Sequence, residues 1–159
     1  MSKIKGLGAA FLLLTAAWYI AREWLSGRRR VAYLTAWSTL LHTVRTQISC
    51  YATPLSEILK KTDPELLRVA CGAPTPEEPL PRLCAAAADR MTGESARQMA
   101  ALAGELGTVW REEQLTRLDE VIATLEEERR AAISTQAGHM RLVGTLSVCG
   151  TLCILLLLW

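Results

Sequence analysis

Aromatic residues and net charge are both scarce in this 159-residue sequence. It contains one Phe, three Tyr and five Trp, so aromatic residues make up only 6% of it, and its formal net charge is only +2 at pH 7. Single-stranded nucleic acid binds to aromatic platforms beside a basic groove, and duplex DNA binds to a concentrated positive field. The sequence offers neither in quantity, so we expect no nucleic-acid partner.

The cysteines and histidines do not form a recognisable chemical motif. Five cysteines occur, an odd number without a C-x-x-C pair, which disfavours a disulfide scaffold or a zinc site. We expect them to be small buried hydrophobic residues in a reducing compartment. His42 and His139 have no nucleophile motif beside them, and His42 should lie on a helix surface. The sequence therefore predicts no metal, no cofactor and no enzymatic activity.

Long uncharged apolar runs occur at the two ends. The first occupies 6–21, GLGAAFLLLTAAWYIA, and the second occupies 142–159, LVGTLSVCGTLCILLLLW. A helix of about 20 residues spans the hydrocarbon core of a bilayer, so we predict transmembrane helices within 1–25 and over 142–159. A cleaved signal peptide is the alternative for the first run, but no clear A-x-A site follows its apolar core. The residues between the anchors, 26–141, would form one helical domain.

Positive residues lie on the inner side of both predicted anchors. Arg28, Arg29 and Arg30 follow the first anchor, and Arg141 precedes the second. Because Lys and Arg are enriched on the cytoplasmic side of membrane helices, we predict a cytoplasmic domain with both termini on the opposite side. The membrane-proximal Arg28, Arg29 and Arg30 also suit anionic lipid headgroups or an acidic partner, although fixing the topology requires neither.

Apolar residues recur at spacings of three and four along two long stretches of the domain. Such spacing is typical of a helix with one buried face. No proline interrupts either stretch on the way to its anchor, so each predicts one long helix that continues into the membrane. On the first stretch the apolar residues are Leu34, Trp37, Leu41, Val44, Ile48 and Tyr51. On the last they are Leu115, Leu118, Ile122 and Leu125.

Shorter helices should connect the two long ones. Thr53-Pro54 and Asp63-Pro64 each predict a helix start, in which the first residue caps the helix and proline takes its first position. The segment 72–81 holds four of the six prolines and predicts a loop. The fold class is therefore all-α: two long antiparallel helices with membrane-spanning ends, plus short helices that complete a cytoplasmic helical bundle.

Several local motifs occur in an order that resembles stage III sporulation protein AB, a membrane-protein family of endospore-forming bacteria. The first are KIKGLGA in the first anchor and the arginine cluster behind it. QISCYATPLSEIL follows at the end of the first long helix, and LAGELGTVWREEQLTRLD leads into the last one. A charged helix then leads through Arg141 and Gly144 into the second anchor. Order and size fit over most of the chain.

This resemblance implies a structural role in the channel complex between the mother cell and the engulfed forespore, in the membrane on the mother-cell side. The helical domain would be similar to those of type II secretion and type IV pilus platform proteins. It would couple a cytoplasmic secretion-type ATPase, stage III sporulation protein AA, to the other channel components, and homo-oligomers are compatible with that role. The resemblance also implies assembly roles for Thr53, Pro54, Gly107 and Gln114.

Two other function classes remain open on the sequence alone. The chain also fits an unrelated two-anchor adaptor or a holin-like protein, which neighbouring genes without other channel components would favour. A membrane enzyme would require a pocket with convergent polar groups.

Overall fold

A computed structural model describes the backbone of residues 2–51 and 54–158. Side chains are described throughout 24–51 and 54–136 and at a few positions beyond them. Within these residues the chain forms six α-helices and no strand, which confirms the all-α prediction in its coarse form. The helices are α1 (Ser2–Tyr51), α2 (Leu55–Lys61), α3 (Pro64–Cys71), α4 (Leu80–Ala88), α5 (Glu94–Glu105) and α6 (Arg111–Leu158).

The chain divides into two compact units, residues 1–30 with 132–159, and residues 31–131. The predicted anchors belong to the first unit, and most of their side chains lie outside the described residues. Among the residues that are described, no helix has a stretch long and apolar enough to cross a membrane. In the same unit, the side-chain amide of Gln136 lies 3.4 Å from the position that a Cβ would take on Gly27. Gly27 of α1 and Gln136 of α6 therefore lie next to each other in this unit.

The 31–131 unit has a hydrophobic core to which all six helices contribute. Five of the six apolar residues predicted on the first stretch are buried, and Trp37 is only 1% exposed. Leu40 and Ala36 are buried beside them, so the apolar face of α1 is wider than predicted. The prediction is wrong for Tyr51, because Ile48 is the last buried residue of α1 and Tyr51 lies beyond the core.

The opposing apolar stripe comes from α6. Leu118, Ile122 and Leu125 are buried as predicted, Val121 is buried with them, and Leu115 is partly buried at the edge. Burying one aliphatic side chain contributes about 1.5–3 kcal/mol relative to leaving it exposed. The two stripes therefore supply much of the free energy that holds this unit together.

Ion pairs on the exposed side of α1 and α6 show how the two helices run within the 31–131 unit. The guanidinium of Arg45 donates to both carboxylate oxygens of Asp119, with Nη2 and Oδ2 3.0 Å apart. Close by, His42 Nε2 lies 3.3 Å from Glu126 Oε1, and His42 is exposed as predicted. The residue numbers of the paired side chains decrease along α6, from 126 to 119, as they increase along α1, from 42 to 45. The two helices are therefore antiparallel here. Exposed pairs contribute about 1 kcal/mol or less, so the core dominates the energetics.

Trp37 joins α1 to the last turn of α3. Its Nε1–H donates to the carbonyl oxygen of Ala70 at 3.0 Å, in a buried contact. The last carbonyl groups of a helix have no partner within the helix, so Trp37 satisfies one of them. Tyr33 packs edge-on against the Trp37 ring, with centroids 6.5 Å apart. Burial raises the pKa of Tyr33 above its ordinary value.

The start and stop signals of α3 are confirmed. Asp63 precedes the helix, and its carboxylate accepts the N–H of Glu65 at 3.0 Å, while Pro64 is the first helical residue. Gly72 ends the helix in the left-handed region, with φ +84°. Each of these signals involves residues within one or two positions of the helix end, which is why the sequence predicts them.

Two other helix starts differ from the predictions. α2 begins at Leu55, so Pro54 is its N-cap residue rather than its first helical residue. Thr53, the predicted cap, lies outside the described residues. α4 begins at Leu80, inside the segment predicted as a loop. Pro81 occupies its first turn, where the missing N–H of proline removes no helical hydrogen bond.

The N-terminus of α5 is capped by a side chain from α6. Gly93 precedes α5 with φ +75° and has no side chain that can cap it. Glu128 Oε1 instead accepts the N–H of Ser95 at 3.3 Å. The Ser95 hydroxyl donates to the carbonyl of Thr92 at 3.2 Å. Because a carboxylate is stabilised at the positive end of a helix dipole, this contact fastens the start of α5 to α6.

Candidate partner-binding surface

A tight turn connects α5 to α6. Gly107 has a φ of +84°, a conformation that glycine adopts without the steric penalty of other residues. The Thr108 hydroxyl donates to the carbonyl of Glu105 at 2.9 Å. The N–H of Gln114 then donates to the carbonyl of Trp110 at 2.9 Å, as α6 begins. The turn is thus closed by hydrogen bonds on both sides of Gly107.

The α5–α6 turn contacts α2. Leu55 Cδ1 lies 3.4 Å from the position that a Cβ would take on Gly107. Since Pro54 directly precedes Leu55, Pro54 and Gly107 lie at the same end of the bundle. Gln114 is partly buried in the first turns of α6, just beyond this turn. Of the four residues implied by the resemblance, three therefore lie around one turn, and Thr53 is outside the described residues.

Two arginines of α6 hold this end of the bundle together. Arg111 donates through its guanidinium to the carbonyl oxygen of Ser49, in the last turn of α1. Arg117 donates to both carboxylate oxygens of Glu105, at 2.9 and 3.3 Å, and to Glu120 at 2.8 Å. The hydrogen bond to Glu105 is the largest cause of the raised pKa of Arg117. The carboxyl ends of α1 and α5, where a helix dipole favours a cation, are thus each held by an arginine of α6.

Two aromatic rings project from this end of the bundle. Trp110 is 86% exposed and Tyr51 is 70% exposed. Both belong to the end of the bundle where Arg111 donates to Ser49, since Trp110 precedes Arg111 by one residue and Tyr51 follows Ser49 by two. We call Tyr51, Pro54, Gly107, Trp110 and Gln114 the end surface.

The sequence did not reveal either ring as a surface feature. Tyr51 continues the spacing of the buried residues on α1, so periodicity places it in the core. The spacing of apolar residues makes no prediction for Trp110, although its position in the sequence indicates exposure. It lies ahead of the apolar stripe of α6 and directly after the Gly107 turn, where core residues are not expected.

The end surface is suited to contact with another protein. Trp and Tyr combine a large apolar area with a polar tip, and both are enriched at protein interfaces. In the part of the chain that the structure describes, no group of three or more His, Cys, Asp or Glu residues is placed to hold a metal ion. What this surface offers chemically is therefore apolar area flanked by charged side chains.

The cysteines whose side chains are described differ in exposure. Cys84 is buried, and burial raises its pKa to about 12. Cys71 is half-buried, and burial raises its pKa to about 11. Cys50 is exposed, so the prediction of a buried thiol is wrong there; it lies two residues after Ile48, away from the buried face of α1. The side chains of the remaining two, in the predicted second anchor, lie outside the described residues.

The predicted membrane-proximal arginines belong to the other unit. Arg28, Arg29 and Arg30 are all exposed on α1. The guanidinium carbon of Arg28 lies 4.7 Å from the centroid of the Trp24 ring. A cation–π contact of this kind at an exposed site contributes about 0.5–1 kcal/mol.

No protein-family model, curated protein or solved structure matches this chain. The resemblance to stage III sporulation protein AB therefore stays a prediction that rests on the motifs in the sequence.

Proposed function

We propose that this protein is a structural membrane platform of the secretion-like channel between mother cell and forespore, needed for endospore formation. Its two ends anchor it in the membrane, its helical domain faces the cytoplasm, and its end surface binds the secretion-type ATPase that resembles stage III sporulation protein AA. No reaction is assigned to the chain itself. The observation that carries the proposal is the 86% exposure of Trp110 on a turn fixed by its neighbours.

A large exposed ring on a fixed turn favours docking on energetic grounds. A partner that covers an indole ring removes about 150–250 Å² of mostly apolar surface from water. At about 25 cal/mol per Å², that burial contributes several kcal/mol. Little of the gain is lost to ordering, because the Gly107 conformation and the Arg111 hydrogen bond already hold the turn in place.

The membrane part of the proposal rests on the chemistry of the sequence. The two terminal runs have the length and apolar character of bilayer-spanning helices, and basic residues lie on the inner side of each. The motif resemblance supplies the identity of the complex and of the ATPase.

The proposal is tested by measuring the affinity of the full chain, purified in detergent micelles, for the ATPase. We expect the native chain to bind and Trp110→Ala to weaken binding about thirtyfold or more, as loss of a central aromatic anchor does. The matched control is Val69→Ala, which removes exposed apolar area from α3 of the same unit and should leave the affinity unchanged.

Two results would count against the proposal. The first is the absence of binding between the native chain and the ATPase, together with normal sporulation of a strain that lacks this gene. The second is equal loss of affinity in Trp110→Ala and Val69→Ala, which would place the contact elsewhere on the domain.

A further inference from the structure

Exposed tryptophans and arginines are paired along one part of α1. Trp18 is 65% exposed, and the guanidinium carbon of Arg22 lies 5.6 Å from its ring centroid. Trp24 is 39% exposed, and Arg28 lies 4.7 Å from its ring centroid. In both pairs the cation follows the ring by four residues, so it lies about one helical turn further along α1.

The same order of apolar residue and cation extends to Leu25 and Arg29. Leu25 is 49% exposed, and Arg29 follows it by four residues. With 3.6 residues per turn, Leu25 and Arg29 share a face of α1 with Trp18 and Arg22. Along about 18 Å of helix, exposed apolar residues and cations therefore lie next to each other from Trp18 onward, and only cations follow at Arg28 to Arg30. The boundary between acyl chains and headgroups in a bilayer offers the same two kinds of partner.

Charge is distributed unequally between the two units. Residues 1–30 and 132–159 hold seven Lys and Arg residues against one Glu, a net charge of +6. Residues 31–131 hold the remaining 11 Lys and Arg against 15 Asp and Glu, a net charge of −4. The small net charge of the whole chain conceals this division. A cationic unit with exposed aromatic rings complements an anionic surface that also has an apolar layer.

We propose that residues 18–30 of α1 form a binding site for anionic phospholipid headgroups. Arg22, Arg28, Arg29 and Arg30 contact the lipid phosphates, and Trp18 and Trp24 lie at the boundary with the acyl chains. Guanidinium groups bind phosphate with two parallel hydrogen bonds, which favours arginine at such a site. This inference rests on the proposed membrane anchoring and adds a preference for one class of lipid.

The exposed apolar residues favour a lipid over the other anions that arginines bind. A soluble phosphate or an acidic peptide segment would pair with the guanidinium groups but leave Trp18 and Leu25 in water. A phospholipid covers both, because its phosphate and its acyl chains lie next to each other. The bilayer surface is therefore the ligand that matches both parts of the site.

The preference is measured on the full chain reconstituted in nanodiscs of phosphatidylcholine with a minority of phosphatidylglycerol. The lipids that stay bound after mild detergent extraction are counted by mass spectrometry. We expect phosphatidylglycerol to be enriched over its bulk proportion. Replacing arginines by Gln at 28, 29 and 30 should lower the affinity for phosphatidylglycerol relative to phosphatidylcholine about fivefold for each residue lost. The triple variant should therefore retain the two lipids in their bulk proportion. Soluble glycerol phosphate should displace none of the bound lipid.

A matched control separates the site from the total charge. Arg68→Gln, Arg82→Gln and Arg97→Gln together remove the same charge from exposed positions of the 31–131 unit, and they should leave the enrichment unchanged. Retention of the two lipids in their bulk proportion by the native chain, equal loss of enrichment in both triple variants, or displacement by glycerol phosphate would overturn the inference.

Flotation with neutral vesicles, followed by an alkaline wash, tests the anchors independently of lipid charge. Retention in neutral vesicles without any phosphatidylglycerol enrichment would overturn the lipid site and leave the anchoring in place. Binding to anionic vesicles alone, lost on washing, would support the arginine site and contradict the anchors.

Discussion

At the scale of single residues, Gly107 carries the strictest backbone requirement of the end surface. Its φ of +84° lies in the left-handed region, which costs a residue with a Cβ about 1–2 kcal/mol. We therefore expect Gly107→Ala to lower the free energy of unfolding by about that amount. The measurement is denaturation of the full chain followed by the circular dichroism of its aromatic side chains.

Gly104 provides the matched control for this change. It lies inside α5, and a Cβ built there meets nothing within 4 Å. Gly104→Ala should raise the free energy of unfolding by up to about 1 kcal/mol, because alanine favours helix more than glycine does. Destabilisation by Gly104→Ala as large as that by Gly107→Ala would show that the positive φ is not the cause.

The buried thiol of Cys84 makes the 31–131 unit less stable at alkaline pH. Burial raises its pKa from 9.0 to about 12, so the folded state holds a proton that the unfolded state releases above pH 9. This contribution is fully present below pH 9 and is lost as the pH rises toward 12. We expect the native chain to lose about 2 kcal/mol more stability between pH 8 and pH 10.5 than Cys84→Val does.

The measurement for Cys84 is chemical denaturation at both pH values under reducing conditions. Since Cys71 titrates in both proteins, its contribution largely cancels in the comparison. Parallel pH profiles for the native chain and Cys84→Val would contradict the assignment of this pH dependence to Cys84.

At the scale of helices, the contact between α5 and α6 depends on a cap supplied from outside the local sequence. Glu128 accepts the N–H of Ser95, where Gly93 has no side chain to offer. We expect Glu128→Ala to destabilise the start of α5 by about 0.5–2 kcal/mol, the range for the loss of a helix cap. Hydrogen exchange in peptides that cover α5 measures this change.

Glu127 is the control for the α5 cap, because it is exposed on the same helix. Glu127→Ala should leave exchange in α5 unchanged, while Glu128→Gln, which keeps an acceptor oxygen, should cause a smaller increase than Glu128→Ala. Unchanged exchange in Glu128→Ala would show that the cap contributes nothing to the stability of α5.

The helices that the sequence predicts well are those with local signals. The Asp63-Pro64 start and the Gly72 end of α3 involve neighbouring residues, and the spacing of apolar residues on α1 is a property of one helix. The features that the sequence did not predict depend on tertiary structure. Periodicity alone does not show that the core ends at Ile48, and so it does not show that Tyr51 is exposed. Nor does spacing in the sequence show that Glu128 caps α5 from 33 residues away.

The end surface was predictable only in part, for the same reason. The resemblance indicated Pro54, Gly107 and Gln114, which the structure places around the α5–α6 turn. The exposure of the Tyr51 and Trp110 rings depends on how α1, α2 and α6 pack at this end of the bundle. No local sequence pattern predicts that packing.

At the scale of the whole molecule, two proposed binding surfaces belong to separate units of opposite charge. The lipid site lies in the unit with net charge +6, and the end surface lies in the unit with net charge −4. Repulsion from an anionic membrane would discourage the acidic unit from lying against it. In the proposed function, one unit anchors the platform and the other binds the ATPase.

We propose that the end surface binds the secretion-type ATPase inside the cell. This binding is tested most directly by site-specific photocrosslinking in sporulating cells, with benzoylphenylalanine placed at Trp110 or, as the control, at the exposed Val69 of α3. We expect a crosslink to the ATPase from position 110 and none from position 69. No ATPase crosslink from position 110, or equal crosslinks from both positions, would contradict it.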